Sequence, residues 1–317
     1  MDFRMKNLIS ICLLLVLAIF LSALMIGNHE KSEIALGKQL FQERILSKDS
    51  SVSCSSCHQP ENAFADTVAF SMGIHHTPTK RNTPSVLNMK NRPYFFWDGR
   101  AASLAEQALM PIGNPDEMGL PLHEAIDRLN RSTYYRERFH KVFGEYPNQK
   151  NLAKAIAAYE NTLETIDSKF DDWGNNIRKL SASEERGREV FLSDKAKCFD
   201  CHFQIDFTDD GFKNIGLFNG KNLNDSGRIR ITKKAADLGK FKTPGLRNIG
   251  ATAPYMHNGM FKTLEEVVDF YNDTKKVVPD AVNTDPSLQK PLGLSEREKK
   301  DLVAFLKTLT DKRFEKN

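Results

Sequence analysis

Two pentapeptides constrain this chain more than anything else in it: Cys54-Ser55-Ser56-Cys57-His58 and, far downstream, Cys198-Phe199-Asp200-Cys201-His202. Each has the form C-x-x-C-H. In that pattern two thiols add across the vinyl groups of one porphyrin while the adjacent imidazole turns back to the iron. His58 and His202 then become proximal ligands, and the opposite face of each iron is left to other parts of the chain. The two runs take four of the five cysteines. A zinc site made from both pairs would not call for a His after each. A redox disulfide within a C-x-x-C wants a βαβ setting that is missing here. The reading is two covalently bound haem c groups, one on Cys54, Cys57 and His58, the other on Cys198, Cys201 and His202.

A length of 317 residues suits two domains. The formal charge of +4 is mild and the basic residues are scattered, so nucleic-acid binding has no support. Arg4 and Lys6 precede an apolar run over 8–27, interrupted only by Ser10 and Ser22. Such a segment is an export signal or, at about 20 apolar residues, an uncleaved membrane anchor. Cys12, early in that run, reads as a lipid-facing apolar residue. Export to the periplasm agrees with c-type attachment, which is completed outside the bacterial cytoplasm. The expected division is 1–30 as signal or anchor, 31–178 as a first haem domain and 179–317 as a second.

The two haem motifs have matching surroundings. Gly37 and Phe41 in Glu33–Phe41 precede the first; Gly187 and Phe191 in Glu184–Phe191 precede the second. At helical spacing Gly and Phe share one face. The glycines permit close approach to the helix, and the phenylalanines are expected on the porphyrin edges. A capping box Ser295-x-x-Glu298 opens a closing helix carrying Leu302, Val303, Phe305, Leu306 and Leu309. Its counterpart in the first unit is expected from Leu152 to Ile166, with Ile156, Tyr159, Leu163 and Ile166 on one stripe. Another box, Thr263-x-x-Glu266, starts a helix through Phe270 and Tyr271. The polar stretch Asp167–Ser183 reads as a linker. Segments 60–100 and 203–260 have little periodicity, and loops that long are usually functional. The fold class expected is mainly α: two cytochrome c-like domains with long loops wrapped around the haems.

Several longer motifs resemble the bacterial di-haem cytochrome c peroxidases and their MauG-type relatives. They are Arg81–Asn88 (RNTPSVLN), Phe96–Ala101 (FWDGRA), Glu106–Leu109 (EQAL), Asn114–Met118 (NPDEM), Leu246-Arg247-Asn248 and Ala253–Gly259 (APYMHNG). The similarity runs from about Ile34 to Leu309. It implies a peroxide-reacting first haem with Gln107 and Glu117 over its distal face, and Trp97 carrying electrons between the haems. It also implies a calcium ion held by the Asn82 side chain and the backbone carbonyls of Thr252 and Pro254, oxygen donors that suit a hard cation.

Two departures stand out. Ile74 occupies the position where peroxidases needing reductive activation have a loop His. An aliphatic side chain cannot ligate iron, although a one-residue shift would bring in His75 or His76. Tyr271 occupies the position of a Met ligand to the second haem, as in MauG-type proteins, with Met256 as the rival sixth ligand. Axial ligands move haem potentials over about 0.8 V, and a phenolate favours the more oxidised states. The activity implied is reduction of hydrogen peroxide to water with electrons from a small redox protein such as a cytochrome c. The alternatives are MauG-like oxidation of a partner protein and a non-enzymatic electron carrier.

Overall fold

The computed structural model describes residues 31–315, which are almost wholly helix and loop. The one two-stranded sheet among them pairs Phe212–Lys213 antiparallel with Phe241–Lys242. The expected signal or anchor lies outside the described residues. Within them no helix is long and apolar enough to cross a membrane.

One helix crossing is built twice. An opening helix over 31–42 crosses the helix Gln149–Glu160 at Gly37, where a Cβ would stand 1.9 Å from the Ala155 carbonyl oxygen and 2.9 Å from Tyr159 Cβ. The helix Ala182–Leu192 crosses Glu296–Lys307 at Gly187 in the same way, 1.9 Å from the Asp301 oxygen and 2.9 Å from Phe305 Cβ. No side chain larger than hydrogen fits either crossing without movement. One turn on, the Phe41 ring meets Tyr159 at 5.3 Å and Phe64 at 6.3 Å. Phe191 meets Phe305 at 5.3 Å and Phe207 at 5.8 Å. Each crossing therefore seeds an aromatic cluster beside a haem motif, and edge-to-face rings add to the burial itself.

A second duplicated element follows. Phe95 bridges Ala101, and Tyr255 bridges Phe261, so FFWDGRA and YMHNGMF form matching turns. Each leads into a capped helix. Ser103 accepts from the Glu106 amide to start Leu104–Gly113, and Thr263 accepts from the Glu266 amide to start Leu264–Asn272. The first hydrophobic core gathers around Leu36, Phe41, Ile112, Phe139 and Ile156, the second around Phe191, Phe270, Phe305 and Leu309. Two helices of the first, Leu122–Arg131 and Thr133–Phe143, have no counterpart among the described residues of the second.

Two details differ from the sequence reading. The helix expected to run to Ile166 ends at Glu160. The Thr162 hydroxyl donates to the Tyr159 carbonyl at 2.7 Å, the chain turns, and Ile166 is left 72% exposed. The stretch read as a linker contains the helix Lys169–Gly174, opened by a Ser168/Asp171 capping box. Its Phe170 packs on Phe207 and Phe305 in the second core, while Phe314, near the other end of the chain, is buried in the first.

Polar side chains tie the two cores together. Arg81 grips both oxygens of Asp225 and also reaches Asp98. Arg92 donates to Asp206 and Asp210. Asn88 and Asn248, both at positive φ, each donate a side-chain N–H to the single hydroxyl of Thr165, at 3.1 and 2.6 Å.

Candidate functional site

The first haem motif coils into a short helix, Cys54–Cys57, which puts both thiols on one side and leaves His58 at its C-terminal end. None of the four motif cysteines is in a disulfide. Both imidazoles are prepared in the same manner. His58 Nδ1 lies 3.2 Å from the Phe64 carbonyl oxygen, and His202 Nδ1 lies 2.9 Å from that of Phe207. An Nδ1–H donated to a carbonyl leaves the Nε2 lone pair for a metal and fixes the ring orientation. Burial pushes both imidazoles below their ordinary value, against the carbonyls of Phe64 and Pro84 for His58 and of Phe207 and Pro244 for His202. A neutral ring is the ligating form. The residues present therefore fit haem c on Cys54, Cys57 and His58 and on Cys198, Cys201 and His202.

The residues expected on the distal faces come from the two duplicated capped helices and the turn after the first. Leu104–Gly113 carries Gln107, whose Oε1 is buried with no hydrogen-bond partner among the described residues. A buried, unpaired amide oxygen is costly unless a ligand meets it. The turn after this helix carries Glu117, held by Asn114, whose side-chain amide donates to Glu117 Oε1 at 2.7 Å. Burial raises the Glu117 carboxyl above its usual range, offset in part by the Arg100 charge and the Asn114 bond. The Glu117 charge is felt at Cys54 and Cys57, whose sulfurs stand in for the thioethers of the attached haem. Gln107 on the helix and Glu117 on the turn that follows thus belong to one continuous segment.

The loop over this element presents Ile74. Its amide donates to the Glu117 carbonyl at 2.8 Å, and its side chain is buried against Gly119. His75 and His76 point to solvent, both at φ +55°, with His75 3.7 Å from Asp49. A left-handed backbone at both positions fixes the alternation that turns Ile74 inward and the two imidazoles outward.

Leu264–Asn272 carries Tyr271 into the second core. Burial raises its phenol, and the sulfurs of Cys201 and Cys198 raise it further. Met256 packs in the same core from the Tyr255–Phe261 turn, with its backbone at φ +74°. Trp97 stands where the units meet: its Nε1 donates to the Asn82 carbonyl at 2.9 Å, and its own carbonyl accepts from the Lys242 amide at 2.7 Å. Its ring is edge-on to His257 at 6.4 Å, and His257 stacks on Phe241 at 3.7 Å.

The calcium expectation has a thinner basis. Asn82 donates its side-chain amide to the carbonyls of Val68 and Ala69, and its backbone N–H to that of His257. Thr252 and Pro254 flank the cis Ala253-Pro254 bond. The described residues bring together no cluster of three acidic, His or Cys side chains, so a cation there would rest on Asn82 and neutral carbonyls alone.

Comparison with known proteins agrees with this geometry. A profile of the family described as di-haem cytochrome c peroxidase matches residues 31–179. The methylamine utilization protein MauG of Methylorubrum extorquens is 39% identical over 287 residues, covering 87% of this chain and 78% of that one. The cytochrome c551 peroxidase of Nitrosomonas europaea is 37% identical, covering 89% and 81%. This chain belongs to the di-haem cytochrome c peroxidase and MauG family. Among solved structures, a MauG-like protein associated with microbial copper homeostasis superposes with a TM-score of 0.81 at 32% identity, covering 90% and 92%. The diheme peroxidase BthA of Burkholderia thailandensis gives 0.81 at 28% identity, covering 89% and 86%. As in the rest of this family, the cofactors implied are two haem groups.

Some contributors escaped the sequence reading. The carbonyls of Phe64, Pro84, Phe207 and Pro244 leave no residue-type signal. A signal was nevertheless present: Thr83-Pro84 and Thr243-Pro244 open matching segments that end in Asn88 and Asn248. Those repeats mark the loops that pass behind each proximal His.

Proposed function

We propose that this protein is a periplasmic di-haem c-type peroxidase that reduces hydrogen peroxide to water with electrons from a small redox protein such as a cytochrome c. The observation that carries this reading is the contrast between the two distal sides. On the first, an unpaired Gln107 amide oxygen and a buried Glu117 carboxyl accompany an aliphatic Ile74. On the second, a phenol occupies the corresponding helix.

Bound haem supplies the redox-active iron at which the O–O bond is broken. The side chains manage protons and orientation. Peroxide must lose a proton from one oxygen and gain one on the other, and a single carboxyl in a dry pocket can do both in turn. Such general acid–base catalysis is worth ~10²–10⁴-fold. Glu117 fits that role, because burial raises its proton affinity toward the range where both transfers are accessible, and Asn114 fixes its orientation. Gln107 accepts a hydrogen bond from the peroxide and aligns it. Trp97, hydrogen-bonded into both units, is the route for electrons between them. His202 and Tyr271 would hold the iron of the second haem, and an interdomain cation would rest on Asn82, Thr252 and Pro254.

A second reading is favoured by Ile74 and Tyr271 together and by the 39% identity to a protein named MauG. It is oxidation of side chains on a partner protein, with the same first-haem pocket. Steady-state kinetics separate the two. Catalytic peroxide consumption with reduced cytochrome c is expected for the peroxidase. Stoichiometric reaction with peroxide but no turnover of cytochrome c would give the MauG-like reading. Purified holoprotein in which neither iron takes up cyanide or peroxide would leave only an electron carrier.

A further inference from the structure

Glu160 is a buried acid that the distal chemistry leaves unused. It ends the helix Gln149–Glu160, is 4% exposed, and its Oε2 has no hydrogen-bond partner among the described residues. The fold itself does not ask for an acid there. Gly37 lies against Ala155 and Tyr159, as Gly187 lies against Asp301 and Phe305, so Glu160 corresponds to Leu306, an ordinary buried aliphatic residue. Burying a carboxyl without a partner is unfavourable, so its presence in one copy alone marks a difference between the two haem sites.

The surroundings point the same way. The Glu160 charge is the strongest electrostatic influence on Cys54, and it is felt by Tyr159, whose ring packs on Phe41 beside His58. No charged side chain of the opening helix over 31–42 or of Leu104–Gly113 acts on its carboxyl. Burial alone sets its proton affinity, pushing it up to about 8. An acid without a counter-charge in a low-dielectric site responds strongly to any change of charge placed beside it.

We propose that Glu160 is the charge-compensating proton site of the first haem. The inference rests on haem attachment at Cys54, Cys57 and His58. Glu160 carboxylate binds one proton from solvent, forming an O–H bond, when the adjoining iron is reduced by one electron. It returns that proton when the electron is withdrawn. Electron and proton arrive together, so the pocket's net charge is the same in both states.

Spectroelectrochemical titration of the full holoprotein across pH tests this, with mediators as the electron source. In the wild type one of the two midpoints is expected to move tenfold in its redox equilibrium per pH unit, 59 mV for one electron, between the proton affinities of the carboxyl in the oxidised and reduced states. Glu160→Gln, which keeps the shape and removes the proton, is expected to lose that slope and leave the other midpoint unchanged. Infrared difference spectra of the wild type alone should show a protonated-carboxyl band that forms on reduction. Parallel pH slopes in wild type and variant, or a carboxyl band indifferent to redox state, would overturn the proposal and leave Glu160 as filling. Should the Gln variant fail to hold haem, Glu160→Leu, copying Leu306, takes its place and the infrared result stands on its own. None of these readouts uses turnover. A holoprotein inert to peroxide would therefore sink the peroxidase reading without touching this one.

Discussion

The two capped helices that follow the matching turns, Leu104–Gly113 and Leu264–Asn272, are the same element built twice and put to different use. Aligned on their caps, Ser103 and Thr263, the position of Gln107 is held by Val267 and that of Tyr271 by Pro111. A proline has no side chain to offer an iron; the helix carries on past it to Gly113, and the turn that follows carries Glu117. The second helix buries Phe270 and carries Tyr271 next to it, within reach of the charges of the motif cysteines. Two haem pockets with the same proximal construction thus diverge through a few distal side chains one turn apart. On the function proposed above, duplication supplies the holder, and the distal helix decides between an acid–base pocket and a ligand.

The largest expected break in that contrast is Glu117→Gln. Peroxide consumption should fall by roughly 10²–10⁴-fold with both haems intact. Because burial raises the Glu117 carboxyl above its ordinary value, the wild-type rate should decline with acidification at a higher pH than a free glutamate would give, and stopped-flow profiles of the Gln variant should lack that limb. A variant as active as the wild type would remove Glu117 from the chemistry.

Exchanging the ligands sharpens the comparison next. Tyr271→Phe should abolish the low-spin ferric signal of the second haem in electron paramagnetic resonance, and an unchanged spectrum would transfer the ligand role to Met256. Ile74→His should do the opposite at the first haem. It places an imidazole on the buried side of the loop that docks on Glu117, and the resting enzyme is expected to lose at least about tenfold in rate, ~1.4 kcal/mol, until reduced. If Ile74→His leaves the first haem high-spin, the loop does not overlie the iron.

Stability should show likeness where the distal sides show difference. Gly37→Ala and Gly187→Ala each force a Cβ to within 1.9 Å of a backbone oxygen on the closing helix. Each should cost about 1–3 kcal/mol in thermal denaturation of the holoprotein. A loss confined to one of the pair would mean that the crossings are not equivalent.

Much of this was legible in residue types. The haem motifs, the paired Gly and Phe positions and the Ser295 and Thr263 caps each announce a local geometry, because covalent chemistry, close packing and capping demand particular side chains. What stayed hidden depends on backbone atoms or on tertiary placement. The carbonyls behind His58 and His202 are hinted at only by the repeated Thr-Pro segments that end in Asn88 and Asn248, and Phe170 in an apparently polar stretch gives no sign that it belongs to the second core. The helix expected to reach Ile166 stops at Glu160, where the Thr162 hydroxyl just beyond its end takes the Tyr159 carbonyl, and periodicity alone does not see that competition. Glu160 belongs to none of the sequence motifs; its depth and its apolar counterpart Leu306 set it apart.

The smallest expected effect concerns the seam between the units. Thr165 offers one hydroxyl to two asparagines, Asn88 at 3.1 Å and Asn248 at 2.6 Å, and its own backbone N–H donates to Asn88 Oδ1. Asn248 Oδ1 in turn accepts the Asp311 amide. Thr165→Val keeps the branch and the backbone bond while removing the shared acceptor from both side-chain amides. Two weakened bonds with the backbone intact should cost about 1–2 kcal/mol. The two sides should not lose equally. Asn248 is wholly buried and makes the shorter bond, so its stripped N–H has no water to turn to, whereas Asn88 keeps a second anchor on Thr165 through Oδ1. Amide hydrogen exchange should therefore speed up more around Leu309–Asp311, which the Asn248 backbone and side chain hold, than around Leu163–Thr165. Equal acceleration on both sides would show that Thr165 acts as a hinge common to the units, with neither asparagine dominant.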